Sequence, residues 1–219
     1  DWIMENRNFS NLDWNIGVDY RMNFRNTALF RFSAKRQYTF LLDPFDPSGL
    51  NGRPLESGTE HTYDFLTADY TSDTRKTFFF ETSLQLGEFF NGNRQRFGGT
   101  LTYRYQPLGF VSVNVEYNRI RLSEGFKDAD LLLLGSRLDF TFTKNLFLTT
   151  FVQLNSQIQN MNINTRLQWR FKPVSDLFLV YTDNYFAESQ GTDGGLVFPA
   201  IRFPRQRAIV LKVNYWLNL

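Results

Sequence analysis

The sequence predicts an antiparallel, up-and-down β-barrel that crosses a bacterial outer membrane, because long alternating segments are joined by alternately short and long connections. The clearest segment is 12–24, where every even position from Leu12 to Phe24 is apolar and the odd positions are polar or glycine. Successive side chains point to opposite faces of a strand, so this segment has one apolar and one polar face. A strand of about 13 residues rises roughly 40 Å, or about 30 Å when tilted near 45°, which matches a bilayer core.

The composition agrees with this fold class and excludes several others. The 219 residues are enough for one large all-β unit, so we predict a single domain over 1–219. A mean hydropathy of -0.37 does not argue against a membrane, since a transmembrane barrel strand is half polar. The net charge of +2 is too small to indicate nucleic-acid binding, and without cysteine the chain has no disulfide framework.

Ten further segments have the same length and pattern, although 60–72 is the weakest and 177–185 is apolar on both faces. They are 27–40, 60–72, 76–90, 94–105, 109–121, 130–143, 145–155, 160–171, 176–186 and 206–218. Residues 1–6 look like the end of one more strand, which gives about 11–12 long amphipathic strands. The segments 12–24 and 206–218 would run in the same direction, so they cannot close an antiparallel barrel together. We therefore expect the chain to be the C-terminal part of a larger barrel, or its first strand to be shortened.

The connections sort into two sets, which orients the predicted barrel. Short ones lie near 25–26, 73–75, 106–108, 144 and 172–175, and longer ones near 41–59, 122–129 and 187–205, with 91–93 and 156–159 as tighter members of the longer set. Outer-membrane barrels have short periplasmic turns and longer extracellular loops. Residue 24 is therefore predicted to be periplasmic and residue 40 extracellular.

Aromatic residues concentrate near the predicted strand ends. Those at the short-turn ends are Phe24, Tyr103, Tyr105, Phe140, Phe142, Trp169, Phe171 and Tyr215, and those nearer the other rim are Trp14, Phe40 and Tyr117. This is the arrangement of the aromatic girdles at the two membrane interfaces. The alternative is ordinary cross-strand aromatic packing.

Fourteen charged residues are predicted to share the polar, lumen-facing side of the strands. They are Asp13, Asp19, Arg21, Arg31, Lys35, Glu81, Arg96, Arg104, Glu116, Arg137, Asp139, Arg166, Arg170 and Lys212. They could line a selective pore or form a charge network that fills the barrel. We favour the filled network for an isolated barrel near 12 strands, since 8-stranded barrels are filled and 16-stranded porins are open.

The sequence predicts no catalytic, cofactor-binding or metal-binding residues. His61 is the only histidine, and no nucleophile or acid can be placed beside it. Asp43 and Asp46 could hold calcium, but Asp-Pro and Ser-Gly pairs in 43–52 favour turns. The glycine-rich loop 187–204 suits either an extracellular glycan or protein contact, or a flexible connector.

Several stretches resemble one family of Gram-negative surface proteins. These are NIGVDYRMNFRNT (15–27), LDPFDPSGL (42–50) and the long run 146–185, of which FVQLNSQIQNMNINTRLQWRFKPVSDLFLVY is the most specific part. They are similar to the C-terminal barrel, a domain of unknown function, of proteins that carry an N-terminal family-9-type carbohydrate-binding domain and are often labelled hydrolases. The end of the chain, VLKVNYWLNL, also resembles the terminal strand signal of outer-membrane barrels, although that signal normally ends in Phe or Trp.

The resemblance and the strand pattern together imply a membrane anchor or porin-like pore of a surface protein linked to carbohydrate binding or uptake. The expected partners are outer-membrane lipid, the barrel assembly machinery, and glycan or other envelope proteins at the extracellular loops. One alternative is a glycan-acting hydrolase whose chemistry lies in a part N-terminal to this chain. A third is a soluble lipocalin-like binding barrel, which the strand length and loop sorting argue against.

Overall fold

The computed structural model describes residues 2–4, 11–188 and 200–217, and it is an all-β structure. Its strands are β1 (Trp2–Met4), β2 (Asn11–Asn23), β3 (Leu29–Phe40), β4 (Glu60–Thr71), β5 (Phe78–Phe89), β6 (Gly92–Tyr105), β7 (Gly109–Leu122), β8 (Ala129–Thr143), β9 (Leu146–Asn155), β10 (Asn160–Lys172), β11 (Ser175–Glu188) and β12 (Ala200–Asn214). They form one up-and-down antiparallel sheet in sequence order. The predicted all-β class and long strands are confirmed.

The sheet is open, because β1 and β12 stand at its two ends and each has one paired neighbour among the described residues. The finer prediction, a closed barrel in a membrane, is therefore left as a proposal. The described part of the chain contains no helix that could cross a lipid bilayer.

The first short turn illustrates why the hairpins form where the sequence predicts them. The amide of Phe24 donates to the carbonyl of Ala28 at 2.9 Å, and the amide of Thr27 donates to the carbonyl of Phe24 at 3.0 Å. The side chain of Asn26 accepts from the amide of Ala28 at 3.2 Å. Asn is a preferred turn residue because its side chain bonds to the backbone two residues on.

The bounds of β12 differ most from the prediction, which placed this strand at 206–218. The strand begins earlier because Pro204 is accommodated at a register shift opposite Tyr185, where a missing amide hydrogen is tolerated. It ends at Asn214 because its partner there, Asp176, lies next to the first residue of β11. Beyond that point, the amide of Trp216 donates instead to the hydroxyl of Ser175 at 3.1 Å.

The chain is built from two compact units. Unit 1 contains the described residues of Asp1–Asp73, Glu81–Gly99 and Glu116–Leu131, and unit 2 contains those of Thr74–Phe80, Thr100–Val115 and Leu132–Leu219. Unit 1 therefore holds β1 to β4, and unit 2 holds β9 to β12.

Burial is inverted relative to a soluble globular protein. Among the described residues, eight apolar side chains are buried, whereas 34 large apolar side chains are exposed. Monomeric soluble proteins rarely leave large contiguous apolar surface open to water. The exposed side chains therefore identify the surface that needs an explanation.

Candidate functional site

The apolar face of unit 1 follows directly from the strand register. Val18 pairs with Ala34, Ala34 with Leu66, and Leu66 with Leu86, so these four side chains form one row across β2 to β5. Val18 is 74% exposed, which makes it one of the most exposed large side chains described. The same register places Trp14, Ile16, Tyr20 and Met22 on this face with Phe30, Phe32, Ala68 and Leu84. The predicted alternation in 14–22 is therefore confirmed.

Unit 2 has an apolar face of the same construction. Leu148 pairs with Leu167, Leu167 with Leu179, and Leu179 with Leu211, which gives a leucine row across β9 to β12. This register resolves the ambiguous segment 177–185, because Leu177, Leu179 and Tyr181 lie on the apolar face and Phe178 and Val180 on the other.

The charged residues predicted on the polar side of the strands lie together on one face in each set of paired strands. Arg21 pairs with Arg31, and Arg31 pairs with Asp69, on the side of β2 to β4 opposite Val18. In unit 2, Asp139 pairs with Thr149, and Thr149 pairs with Arg166. Among the described residues, three ion pairs include predicted polar-face residues: Arg96–Glu116 at 3.0 Å, Arg137–Asp139 at 2.6 Å and Arg170–Asp176 at 3.2 Å.

Unit 1 also carries an ion pair on its apolar face, which the sequence pattern did not predict. Arg36 donates to both carboxylate oxygens of Asp64, at 2.7 and 2.6 Å, and it is the register partner of Ile16. The pair lines one part of an open groove of about 720 Å³ whose other lining side chains include Val18, Leu66 and Leu86. The groove thus combines an apolar floor with a bidentate charged pair.

A second unpredicted pair lies in unit 1 between β7 and β8. Asp130 accepts from the guanidinium of Arg121 at 2.7 Å and from the hydroxyl of Tyr117 at 2.7 Å. Asp130 is the second residue of β8, and alternation places it on the same face as Leu134. Leu134 pairs with Leu154, so this face of β8 is its apolar one.

Unit 2 contains a third pair of this kind. Asp183 pairs in register with Arg207 and with Ile163, so all three lie on the apolar face. The fully buried Asp183 carboxylate accepts from Arg207 at 2.9 Å, from Tyr181 at 2.6 Å and from Tyr185 at 2.7 Å, all through Oδ2. Among the described residues, its Oδ1 has no hydrogen-bond partner.

A signal for these pairs was present in the sequence. Arg36, Asp64 and Asp183 each interrupt an apolar series at the position where the alternation requires an apolar residue. Opposite charges that interrupt the same face of neighbouring strands can be expected to pair, since cross-strand neighbours of opposite charge stabilise a sheet.

Three of the aromatic residues predicted at the short-turn ends, Trp169, Phe171 and Tyr215, contact one another in unit 2. Phe171 stacks on Tyr215 with 6.4 Å between ring centroids, and Trp169 lies 5.9 Å from Phe171. The ammonium of Lys172 lies 5.2 Å from the centroid of the Tyr215 ring and 3.3 Å from its hydroxyl. The two interpretations of the aromatics, a girdle and cross-strand packing, are compatible with this geometry.

The loop 41–59 is organised around Asp46. Its carboxylate accepts from the amide and hydroxyl of Ser48, at 2.9 and 2.7 Å, and from the amide of Gly52 at 2.8 Å. Burial alone would raise the pKa of Asp46, but the hydrogen bonds from Ser48 and Gly52 outweigh it and lower the pKa below 3.8. Asp46 therefore acts as a turn anchor, the interpretation that the Asp-Pro and Ser-Gly signals favour.

The described residues offer no assembled catalytic or metal centre. Nε2 of His61 lies 3.0 Å from the hydroxyl of Thr59, and its imidazole ring packs edge-on against Phe90 at 5.4 Å. No group of three histidine or carboxylate side chains within the described ranges is placed to hold a metal ion. Most of the loop 187–204 lies outside the described residues, so its predicted glycan or protein contact stays a prediction.

Comparison of the chain with protein-family models, curated proteins and solved structures finds no match. The resemblance of 15–27, 42–50 and 146–185 to the barrel of carbohydrate-linked surface proteins accordingly remains a prediction from the sequence. The features that bear on function are the two faces of the sheet and the residues that interrupt them.

Proposed function

We propose that this chain forms part of the wall of an outer-membrane β-barrel, and serves as the anchor or pore of a surface protein linked to carbohydrate binding or uptake. The observation that carries the proposal is the exposed apolar face on strands of 10–15 residues, seen in rows such as Val18–Ala34–Leu66–Leu86. A lipid bilayer is the solvent that such a face requires, because water would leave these side chains unburied.

The residues that interrupt the apolar face support a position for the membrane. Arg36 and Asp183 lie in the halves of their strands that lead to the long connections. From Arg36 to Phe30, and from Asp183 to Leu177, about 20 Å of strand follows towards the short turns. That length is close to the height of the apolar band of outer-membrane barrels, which is roughly 25 Å. The charged pairs would then lie at the outer-leaflet headgroups and the Tyr215 cluster at the periplasmic interface.

The expected partners follow from this placement. Lipid covers the apolar face, the barrel assembly machinery inserts the strands, and the long connections meet glycan or other envelope proteins outside the cell. The carbohydrate link is supported by the resemblance of 146–185 alone. The hydrolase alternative places its chemistry N-terminal to this chain, so the surroundings of His61, which lies beside Thr59 and Phe90, do not bear on it.

The proposal is tested by producing the chain with a secretory signal in a Gram-negative host and separating the membranes. We expect the protein in the outer-membrane fraction, resistant to extraction by alkaline carbonate or urea, and released by detergent. A folded barrel should also migrate faster in dodecyl sulfate gels before boiling than after it. A protein that stays in solution without detergent and folds there would instead support the lipocalin-like alternative and overturn the proposal.

A further inference from the structure

The polar face of unit 2 carries a straight row of uncharged amides across four strands. Gln153 of β9 pairs with Asn162 of β10, Asn162 pairs with Asn184 of β11, and Asn184 pairs with Gln206 of β12. Adjacent strands are about 4.8 Å apart, so this amide row spans roughly 14 Å perpendicular to the strands. We call these four residues the amide row.

The row continues towards β7 through a glycine. Gly135 of β8 pairs with Gln153, and a Cβ built on Gly135 would lie 3.0 Å from Nδ2 of Asn114. The amide of Asn114 therefore occupies the space that a side chain at position 135 would fill. A fifth amide thus stands at the same level.

Two of the carbonyl oxygens in this row are buried and have no partner among the described residues. Oδ1 of Asn162 and Oδ1 of Asn184 have no hydrogen-bond partner among the described residues, and the same holds for Oδ1 of the neighbouring Asn160. A buried acceptor without a partner is destabilising, so three together on one patch call for a functional explanation. Because these oxygens have no bond to break, the side chains can turn towards a ligand at little cost.

Asn164 shows that the polar face can satisfy its amides where no ligand is needed. It lies two residues from Asn162 on the same face, and its Nδ2 donates to the hydroxyl of Thr182 at 2.9 Å. The buried oxygens without a partner on this patch of the described residues thus lie at the levels of Asn160 and Asn162.

Two exposed aromatic rings flank the amide row on this face. Phe186 pairs with Asn160 on one side of the row, and Phe151 pairs with Asn164 on the other. They are 51% and 37% exposed. Two arginines lie near the strip: Arg137 is paired with Asp139 at 2.6 Å, and the guanidinium of Arg205 lies 5.5 Å from the centroid of Phe186.

We infer that the amide row and its flanking phenylalanines form a binding strip for an uncharged, linear oligosaccharide. Amides both donate and accept hydrogen bonds, which matches hydroxyl groups that do the same. Exposed aromatic rings supply flat apolar contact for the C–H faces of sugar rings, and a few polar groups among apolar ones fix orientation. An anionic ligand would instead call for arginine or lysine side chains within the row, whose four members are all uncharged amides.

This inference rests on the proposed carbohydrate link but is tested separately from membrane insertion. The full chain is first refolded in detergent micelles, and its folding is measured by the mobility shift on boiling. Maltohexaose, cellohexaose and an oligogalacturonate of similar length are then titrated in by calorimetry. We expect at least one neutral hexasaccharide to bind, and the anionic one to bind at least tenfold more weakly.

The matched variants are Asn162→Ala/Asn184→Ala and, as control, Asn164→Ala/Thr182→Ala. The first removes two acceptors without a partner, so it should fold normally and weaken saccharide binding at least tenfold. The second removes a satisfied pair one level away and should change binding less than twofold. Normal folding with no saccharide binding, equal weakening by both variants, or preference for the anionic sugar would overturn this inference and leave the membrane proposal standing. Saccharide binding by a chain that fails to enter membranes would support this inference and overturn the membrane proposal.

Discussion

Val18 and Asp19 are neighbours in the chain but lie on opposite faces of β2, which makes them a matched pair of test sites. Val18 pairs with Ala34 on the apolar face, and Asp19 pairs with Ser33 on the polar face. A charge is therefore expected to be tolerated at position 19 and not at position 18.

We predict that Val18→Arg blocks assembly, while Asp19→Asn has a mild effect. An arginine on the lipid face costs about 2–4 kcal/mol near the bilayer midplane, whereas losing one exposed carboxylate costs little. The yield of protein in the outer membrane, and its mobility before boiling, measure the difference. Equal assembly of both variants would mean that the apolar face of β2 does not contact lipid.

Asp46 makes the order of its loop dependent on pH. Its pKa is lower in the folded protein than the ordinary 3.8, so the stabilisation is present above that value and is lost as the pH falls through the folded pKa. We predict that the amides of Ser48 and Gly52 are protected from hydrogen exchange near pH 6, and lose protection, after correction for the intrinsic rate, well below pH 3.8. Asp46→Asn should remove the pH dependence. A loop equally protected at both pH values would contradict this role.

At the scale of the strands, the alternating pattern was sufficient to locate the elements. Both signals, the alternation of polar and apolar residues and the turn residues, depend only on neighbouring positions in the sequence. Segment 60–72, the weakest pattern, forms β4 as Glu60–Thr71. The edge at β12 was harder to predict, since its bounds depend on where β11 begins and on the register shift opposite Pro204. Those are properties of the partner strand, which the residues of 200–218 do not encode alone.

Gly87 lies where β5 passes closely against the backbone of β4. Its φ is +155°, and a Cβ there would overlap the carbonyl oxygen of Asp64 and the backbone of Phe65. We predict that Gly87→Ala destabilises the protein by more than about 1 kcal/mol, because alanine disfavours this conformation and the backbone cannot yield. Urea unfolding in detergent or vesicles gives the comparison.

Gly98→Ala is the control for this prediction. At Gly98 the nearest atom to an added Cβ would be Cβ of Ser83 at 3.7 Å, an ordinary contact. Its effect should be small or slightly stabilising, since alanine reduces the freedom of the unfolded chain. If the two variants unfold at the same urea concentration, the backbone around Gly87 has room to yield and the close approach does not constrain this position.

At the scale of the whole molecule, the charged pairs on the apolar faces show what sequence alone did not provide. Arg36 and Asp64 are 28 positions apart and meet only because β3 and β4 adopt one register. Register depends on the turn and on every pair in the ladder, so a one-residue slip would move Asp64 to the other face. The amide row was not predicted for the same reason, because four strands must align before it exists.

The membrane topology can be tested at three trypsin sites that are exposed in the structure and not followed by proline: Lys127 in the connection 122–129, and Arg25 and Lys144 at short turns. We predict that trypsin added to intact cells cuts at Lys127 and spares Arg25 and Lys144, because only the long connections face outward. In the loop 41–59 a glutamate-specific protease should likewise cut at the exposed Glu56. The loop 187–204 should be cut from the same side. Cleavage at Arg25 and Lys144 but not at Lys127 in intact cells would reverse the topology.

The outer edge of β12 is predicted to be an unpaired strand edge when this chain stands alone. Residues 176–188 of β11 pair with one edge of β12, and among the described residues no strand pairs with the other. In an antiparallel edge strand, amides alternate between bonding the neighbour and pointing away from it. Hydrogen exchange at single-residue resolution should therefore alternate between slow and fast along 205–214, while β10, paired on both sides, is protected throughout.

An unpaired edge in lipid costs several kcal/mol for each unsatisfied group, so a complete barrel has to supply a further strand there. We expect additional strands of a longer chain to do so, which would convert the alternating exchange of β12 into uniform protection. Uniform protection in this chain by itself would mean that the edge is already closed, and the preference for a larger barrel would be wrong. The measurement separates the two outcomes without any assumption about ligand or partner.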